Sequence, residues 1–255
     1  GDPTAAIEWM QKAVERQPSW QLLLTLANLE YRTGKLEAAR GHLRELLDRA
    51  PGNPEGIKAW AQIELLSGDP AQAVALYGQL DRDRRDPQTL GNEGVALLLL
   101  RRPQEAEAAF RRALALAPQD PGTLLNLADA LTLSGRTEEA RAIYREVVAR
   151  TEAAPQELLT TRAQALAHGG EPRRAVETIV QALRASPDSP QLAAEAAIVY
   201  ALVGDRNSAL AEIDRAIKGG VDRRWFLFPW FDSLRDQPPL SVAAPAAPSV
   251  APSEP

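Results

Sequence analysis

The sequence predicts an all-α solenoid of stacked antiparallel helix pairs. Three observations carry that prediction: a self-similarity with a period of about 34 residues, a small residue at a fixed place in every unit, and a glycine at a shared turn. The clearest unit runs from Pro121 to Ala154, and the preceding one, Pro87 to Asp120, aligns with it without a gap. Units beginning at Trp20, Pro54, Gln156 and Pro190 follow with one-residue adjustments, giving six full units.

In each unit the first helix carries Ala27, Ala61, Gly94, Ala128, Ala163 or Ala197 at its eighth position, where a small side chain lets helices approach closely. The turn then presents Gly34, Gly68, Gly135, Gly170 and Gly204, as expected where the backbone takes positive φ after a helix ends. In the Pro87 unit that place is Arg101, so the turn must tolerate strain or change geometry, with Pro103 restarting the helix. The second helix shows Ala39, Ala73, Ala106, Ala140, Ala175 and Ala209. Four residues on come Leu43, Tyr77, Phe110, Tyr144, Ile179 and Ile213, and three further Leu46, Leu80, Ala113, Val147, Ala182 and Ala216. This i, i+4, i+7 stripe is the buried face of an amphipathic helix. Pro51, Pro118 and Pro187 follow its end, and Arg85, Glu152 and Val221 replace proline in the other units.

These small, aromatic or aliphatic and proline positions resemble the tetratricopeptide repeat (TPR) over nearly the whole chain through Val221. The resemblance implies a right-handed superhelical solenoid, with the array at 1–218. Residues 1–19 match the turn and second helix of a half repeat, through Ala6, Met10, Ala13 and Pro18, so the chain is expected to be a fragment of a larger protein. After Gly219 and Gly220 the register dissolves into the aromatic cluster Trp225 to Phe231, and 219–238 reads as a capping segment over the exposed last pair. The stretch Pro229 to Pro238 is similar to segments that close repeat arrays in bacterial regulators, some attached to serine/threonine kinases. Residues 239–255, rich in Pro and Ala with few large apolar residues, are expected to be a disordered tail.

Composition narrows the function classes. The net charge of −5 and pI near 5.3 argue against a general nucleic-acid binder, which needs a clustered basic face. The longest apolar run, Ala196 to Val203, is far short of the roughly 18 residues a membrane-spanning helix needs, so no membrane insertion is expected. There is no cysteine, which excludes disulfides and thiolate sites and fits cytoplasm or periplasm equally. Arginine dominates over lysine, and Ala and Pro are plentiful, a bias pointing to a GC-rich bacterial source.

No constellation for catalysis, cofactor or metal emerges. His42 and His168 fall in different units, and neither HExxH nor a phosphate-cradling glycine loop occurs. Glu30 and Glu64 share a position in neighbouring units and could pair as acid and base. Charges recurring once per repeat more often face solvent or meet arginine, and Arg32 and Lys58 are available counterions. The alternating charges from Asp81 to Asp86 read as a solvated helix end.

The TPR resemblance further implies that the first helices line a concave surface, where family members hold extended peptides or a partner helix. The inward positions are Gln21, Thr25, Asn28, Lys58, Gln62, Gln88, Asn92, Asn126, Asp129, Thr160, Thr161 and Gln164. Of these, Asn28, Lys58, Gln62, Asn92, Asn126, Asp129 and Gln164 are the candidate peptide-binding residues. Amides offer donor and acceptor together and can pair with a peptide backbone without demanding one sequence. Asn92 and Asn126 occupy equivalent places in successive units, like the asparagine ladder of some family members; satisfying helix carbonyls or water would explain them equally. The cationic clamp by which other members hold a terminal carboxylate is incomplete here, with Gly122 and Asn126 at two of its places. The expectation is therefore a protein-binding scaffold with no cofactor, taking a charge-neutral peptide. The alternatives are a regulatory or sensor domain of a multidomain enzyme such as a serine/threonine kinase, and self-association through an open solenoid end.

Overall fold

The computed structural model describes residues 3–80, 85–153 and 156–241. Its α-helices are α1 (Pro3–Arg16), α2 (Trp20–Arg32), α3 (Leu36–Arg49), α4 (Pro54–Ser67), α5 (Pro70–Gly78), α6 (Pro87–Leu99), α7 (Pro103–Leu116), α8 (Pro121–Leu133), α9 (Thr137–Thr151), α10 (Leu159–His168), α11 (Pro172–Ala185), α12 (Pro190–Leu202) and α13 (Arg206–Lys218). Each even-numbered helix packs against the odd-numbered helix that follows, and the pairs stack in chain order. The residues Gly1, Asp2, Asp81 to Arg84 and 242–255, on which some of the sequence expectations fall, lie outside the described residues.

Local chemistry starts the first helices. Asn53, Asp86, Asp120 and Ser189 each accept a hydrogen bond from the backbone N–H three residues on, with proline next in line at Pro54, Pro87, Pro121 and Pro190. Ser19 caps α2 in the same way. The fifth unit departs: a 3-10 turn, Gln156–Leu158, leads into α10 with no side-chain cap. Where Arg85 replaces proline, its guanidinium takes the Leu80 carbonyl at 3.2 Å and pairs with Glu93 at 3.0 Å, closing the chain after α5 by side-chain bonding.

The stripe on the second helices is buried in every unit, from Ala39, Leu43 and Leu46 to Ala209, Ile213 and Ala216. Gly94 stands where the other units have alanine because a Cβ there would lie 2.4 Å from the Phe110 ring. The core divides into clusters. One spans α1 to α4, a second centres on α4 and α5, and the largest runs from α6 to α13 and takes in Phe226, Phe228, Phe231 and Leu234.

The turns correct one expectation and resolve another. Gly34, Gly135, Gly170 and Gly204 have positive φ, but Gly68 has φ −135°. Glycine is needed at 68 for space, since a Cβ would fall 1.9 Å from Glu64 Oε2. Arg101 adopts the glycine conformation, φ +60°, and the turn keeps the family of hydrogen bonds seen at its equivalents, with Arg102 N–H on the Leu97 carbonyl at 2.9 Å just as Arg136 N–H meets the Leu131 carbonyl. The backbone strain of an arginine in that region is accepted.

Glu64 meets an arginine, as expected, but the burial of both glutamates and the identity of their partners are corrected. Both are buried, and neither uses the expected counterion. Glu64 accepts hydrogen bonds from Arg40 Nε at 2.8 Å, Trp60 Nε1 at 2.9 Å and the Asp69 N–H at 3.1 Å. Burial pushes its carboxyl up, but these donors outweigh it and hold the group below the usual range. Glu30 lies 2.7 Å from His42 Nδ1. The two carboxylates thus tie a first helix to a second helix, α2 to α3 and α4 to α3, rather than facing solvent.

Candidate functional site

The helix starts described above place polar side chains along one inner wall. A pocket of about 240 Å³ is lined by Leu24, Asn28, Lys58, Gln62, Tyr77, Asp86, Gln88 and Asn92. Four of the candidate binding residues, Asn28, Lys58, Gln62 and Asn92, therefore come together from α2, α4 and α6. Asn28 and Gln62 are exposed, and Lys58 and Asn92 are half-buried.

Lys58 is not a free cation. Its Nζ lies 2.7 Å from Asp86 Oδ2 and 3.5 Å from Glu55. The hydrogen bond that it donates to Asp86 raises the lysine's pKa. Burial alone would raise Asp86 as well, but Lys58 and the Thr89 N–H reverse the shift and hold it low. Asp86 thereby does two jobs, capping α6 through Oδ1 and pinning Lys58 through Oδ2. The result is a pocket whose charges compensate one another, with amides as its adaptable groups. Burial pushes the Tyr77 hydroxyl upward, with the Asn92 amide acting against that shift from the pocket side.

Asn126, Asp129 and Gln164 lie outside this pocket. Asn126 and Gln164 are half-buried on α8 and α10. Asp129 is placed differently from the expectation, since only 5% of it is exposed and its carboxylate points into the packing between α8 and α9. The Tyr144 hydroxyl donates to Asp129 Oδ1 at 2.7 Å, and His168 Nε2 stands 3.3 Å from the same oxygen. Tyr144 and His168 stack in parallel at 4.6 Å, and Trp230 meets the histidine edge-on at 4.7 Å. Burial pushes Asp129 up to about 7, with Tyr144 acting against it, and pushes His168 down to about 4. Near neutrality the histidine is uncharged, and Asp129 stands at the point where it gains or loses its charge. Sequence reasoning missed this cluster, and its one signal was a histidine ending a first helix in an otherwise histidine-poor chain.

The segment after α13 is seated on the opposite ends of the first helices. Two 3-10 turns, Arg223–Leu227 and Pro229–Leu234, bury Phe226, Phe231 and Leu234. Arg101 grips Asp232 with both terminal guanidinium nitrogens, at 2.8 and 2.6 Å, and donates to the Leu227 carbonyl at 3.3 Å. Arg224 donates to the Gly68 carbonyl at 2.8 Å, and Arg206 to the Ser233 carbonyl at 3.0 Å. The contact continues past the expected start of the tail, because Leu240 packs half-buried against the core.

Among the described residues there is no group of three or more side chains that could hold a metal ion, and no helix long and apolar enough to cross a membrane. Helix pairs of fixed period with an amide-lined inner wall define a helical repeat protein of the superhelical kind. Two family models, both described as tetratricopeptide repeat, match residues 1–54 and 58–121 and residues 97–165, together well over half of the chain. The chain belongs to the tetratricopeptide repeat family. No curated protein matches it. Among solved structures it is similar to a tetratricopeptide repeat protein from Parabacteroides merdae (19% identity, 90% of this chain and 92% of that one, TM-score 0.68). It is also similar to PilW, a type IV pilus biogenesis factor (21%, 75% and 89%, TM-score 0.60), and to YrrB, a TPR protein with an unusual peptide-binding site (17%, 72% and 94%, TM-score 0.51). These likenesses support the superhelical all-α fold.

Proposed function

We propose that the chain is a protein–protein interaction scaffold whose polar inner wall takes an extended peptide or partner segment. The observation that carries this reading is the convergence of Asn28, Lys58, Gln62 and Asn92, from three successive first helices, on one pocket of about 240 Å³. Because Asp86 and Glu55 compensate Lys58, the pocket favours a neutral stretch of backbone over a charged terminus. The peptide-binding site named for YrrB supports the same class of ligand on this fold.

The test is quantitative co-purification followed by calorimetry with the partner so obtained. Asn92→Ala combined with Asn126→Ala is expected to weaken binding at least tenfold while leaving the fold intact. Raising salt from low to high concentration should change the affinity little, since few net charges meet. Unchanged binding by the double variant would remove the inner wall from the recognition surface.

A further inference from the structure

We infer that residues 221–240 form an intramolecular strap, which ties the last repeat back to the second and third and so fixes the closure of the superhelix. A cap would only need to cover the exposed side of α12 and α13. This segment reaches much further, with hydrogen bonds joining positions 131 and 156 residues apart in sequence.

The anchoring has two parts. Phe226 and Phe231 meet edge to face at 5.2 Å and are buried in the core shared with the last units, which holds the segment in place. Charged groups then make the distant ties, Arg101 to Asp232 and Arg224 to the Gly68 carbonyl. A bidentate guanidinium–carboxylate pair fixes orientation as well as distance.

The repeat itself points to selection for this contact. Of six equivalent turn positions, five are glycine, and the sixth, Arg101, takes a backbone conformation that L side chains rarely adopt. Its side chain is the one that holds Asp232. Gly68, which alone among the six departs from positive φ, offers the carbonyl that accepts from Arg224 of the strap. Both irregular turns are therefore strap contacts. The seam that results is visible as a cleft of about 650 Å³ between the first turn, around Thr33, and the root of the strap, around Asp222. This reading stands whatever the inner wall binds.

The experiment uses the chain's freedom from cysteine. Spin labels at Lys35→Cys and Arg223→Cys, both exposed and on opposite sides of the seam, report its width by electron–electron dipolar spectroscopy. The native chain is expected to give one narrow distance. Arg101→Gly with Arg224→Ala removes both distant ties but leaves the aromatic anchors, and glycine accepts φ +60° more easily than arginine, so misfolding does not account for a change. The distance should then lengthen and its distribution broaden, with a larger radius of gyration in solution scattering. Arg101→Lys, which keeps the charge but loses the fork, should fall between the two. An unchanged distribution in the double variant overturns the inference. So does a native chain that light scattering shows to be dimeric with the segment seated on a second copy.

Discussion

The two ends of the first helices do different work. Toward their starts and middles, in the first three units, the inner wall presents amides and a compensated lysine around a pocket that stays open. At their far ends, near Gly68, Arg101 and His168, the wall is covered by the chain's own aromatic segment. The same repeat supplies both surfaces, so open and covered faces are partitioned along the helix axis as well as along the array. The difference is physical. The open wall is built from groups that water can satisfy, whereas the covered edge buries large rings that water cannot accommodate.

Substitutions at the two surfaces should therefore differ most in stability. Phe231→Ala empties a fully buried site and is expected to cost about 3–5 kcal/mol in urea denaturation. An equal loss from Asn92→Ala would erase the distinction. Glu64→Ala, beside the Gly68 turn at the covered ends, removes the acceptor shared by Arg40, Trp60 and the Asp69 N–H and should cost about 3 kcal/mol.

The Asp129 cluster, lying under the covered edge, should respond to pH. Burial raises its folded value to about 7 from the ordinary 3.8, so its contribution is fully present below about pH 4 and is lost as pH rises through 7. Native stability measured against Asp129→Asn should accordingly decline by roughly 2–4 kcal/mol between pH 4 and 8. His168 has the opposite sign, losing stability as pH falls from 6.5 through about 4, but it is present in both proteins. A flat difference would show that Asp129 is charged throughout. The smallest effect belongs to Lys58→Ala on the open wall, below about 1 kcal/mol by denaturation, because its partners are largely exposed.

Much of the fold was legible because it is written locally and six times over. The alanine, aromatic and glycine positions each report contacts within a unit or with the next one, and repetition separates them from chance. Gly94 was readable as a small residue, though only the Phe110 ring explains why alanine would be too large. The candidate wall was legible in part: register alone brought Asn28, Lys58, Gln62 and Asn92 together, but it could not distinguish the exposed Gln62 from the enclosed Asp129. The burial of Glu30 and Glu64, and which groups they meet, were hidden for a similar reason. Their partners, His42 and Arg40, sit on α3 at places the repeat does not mark, and Arg40 precedes Glu64 by 24 residues. The reach of the last segment to Arg101 had no periodic signal at all. Its only trace was the arginine in a glycine's place.

That arginine changes the connectivity of the whole molecule. In an array where each repeat touches only its neighbours, contacts form a line, and a line can melt from either end one unit at a time. Joining position 232 to position 101 turns the later part of that line into a loop. A loop has no loose end from which to begin. With the second tie, from position 224 to position 68, units two to six should then unfold together in a single transition, while α1 to α3, outside the loop, remain free to fray ahead of them.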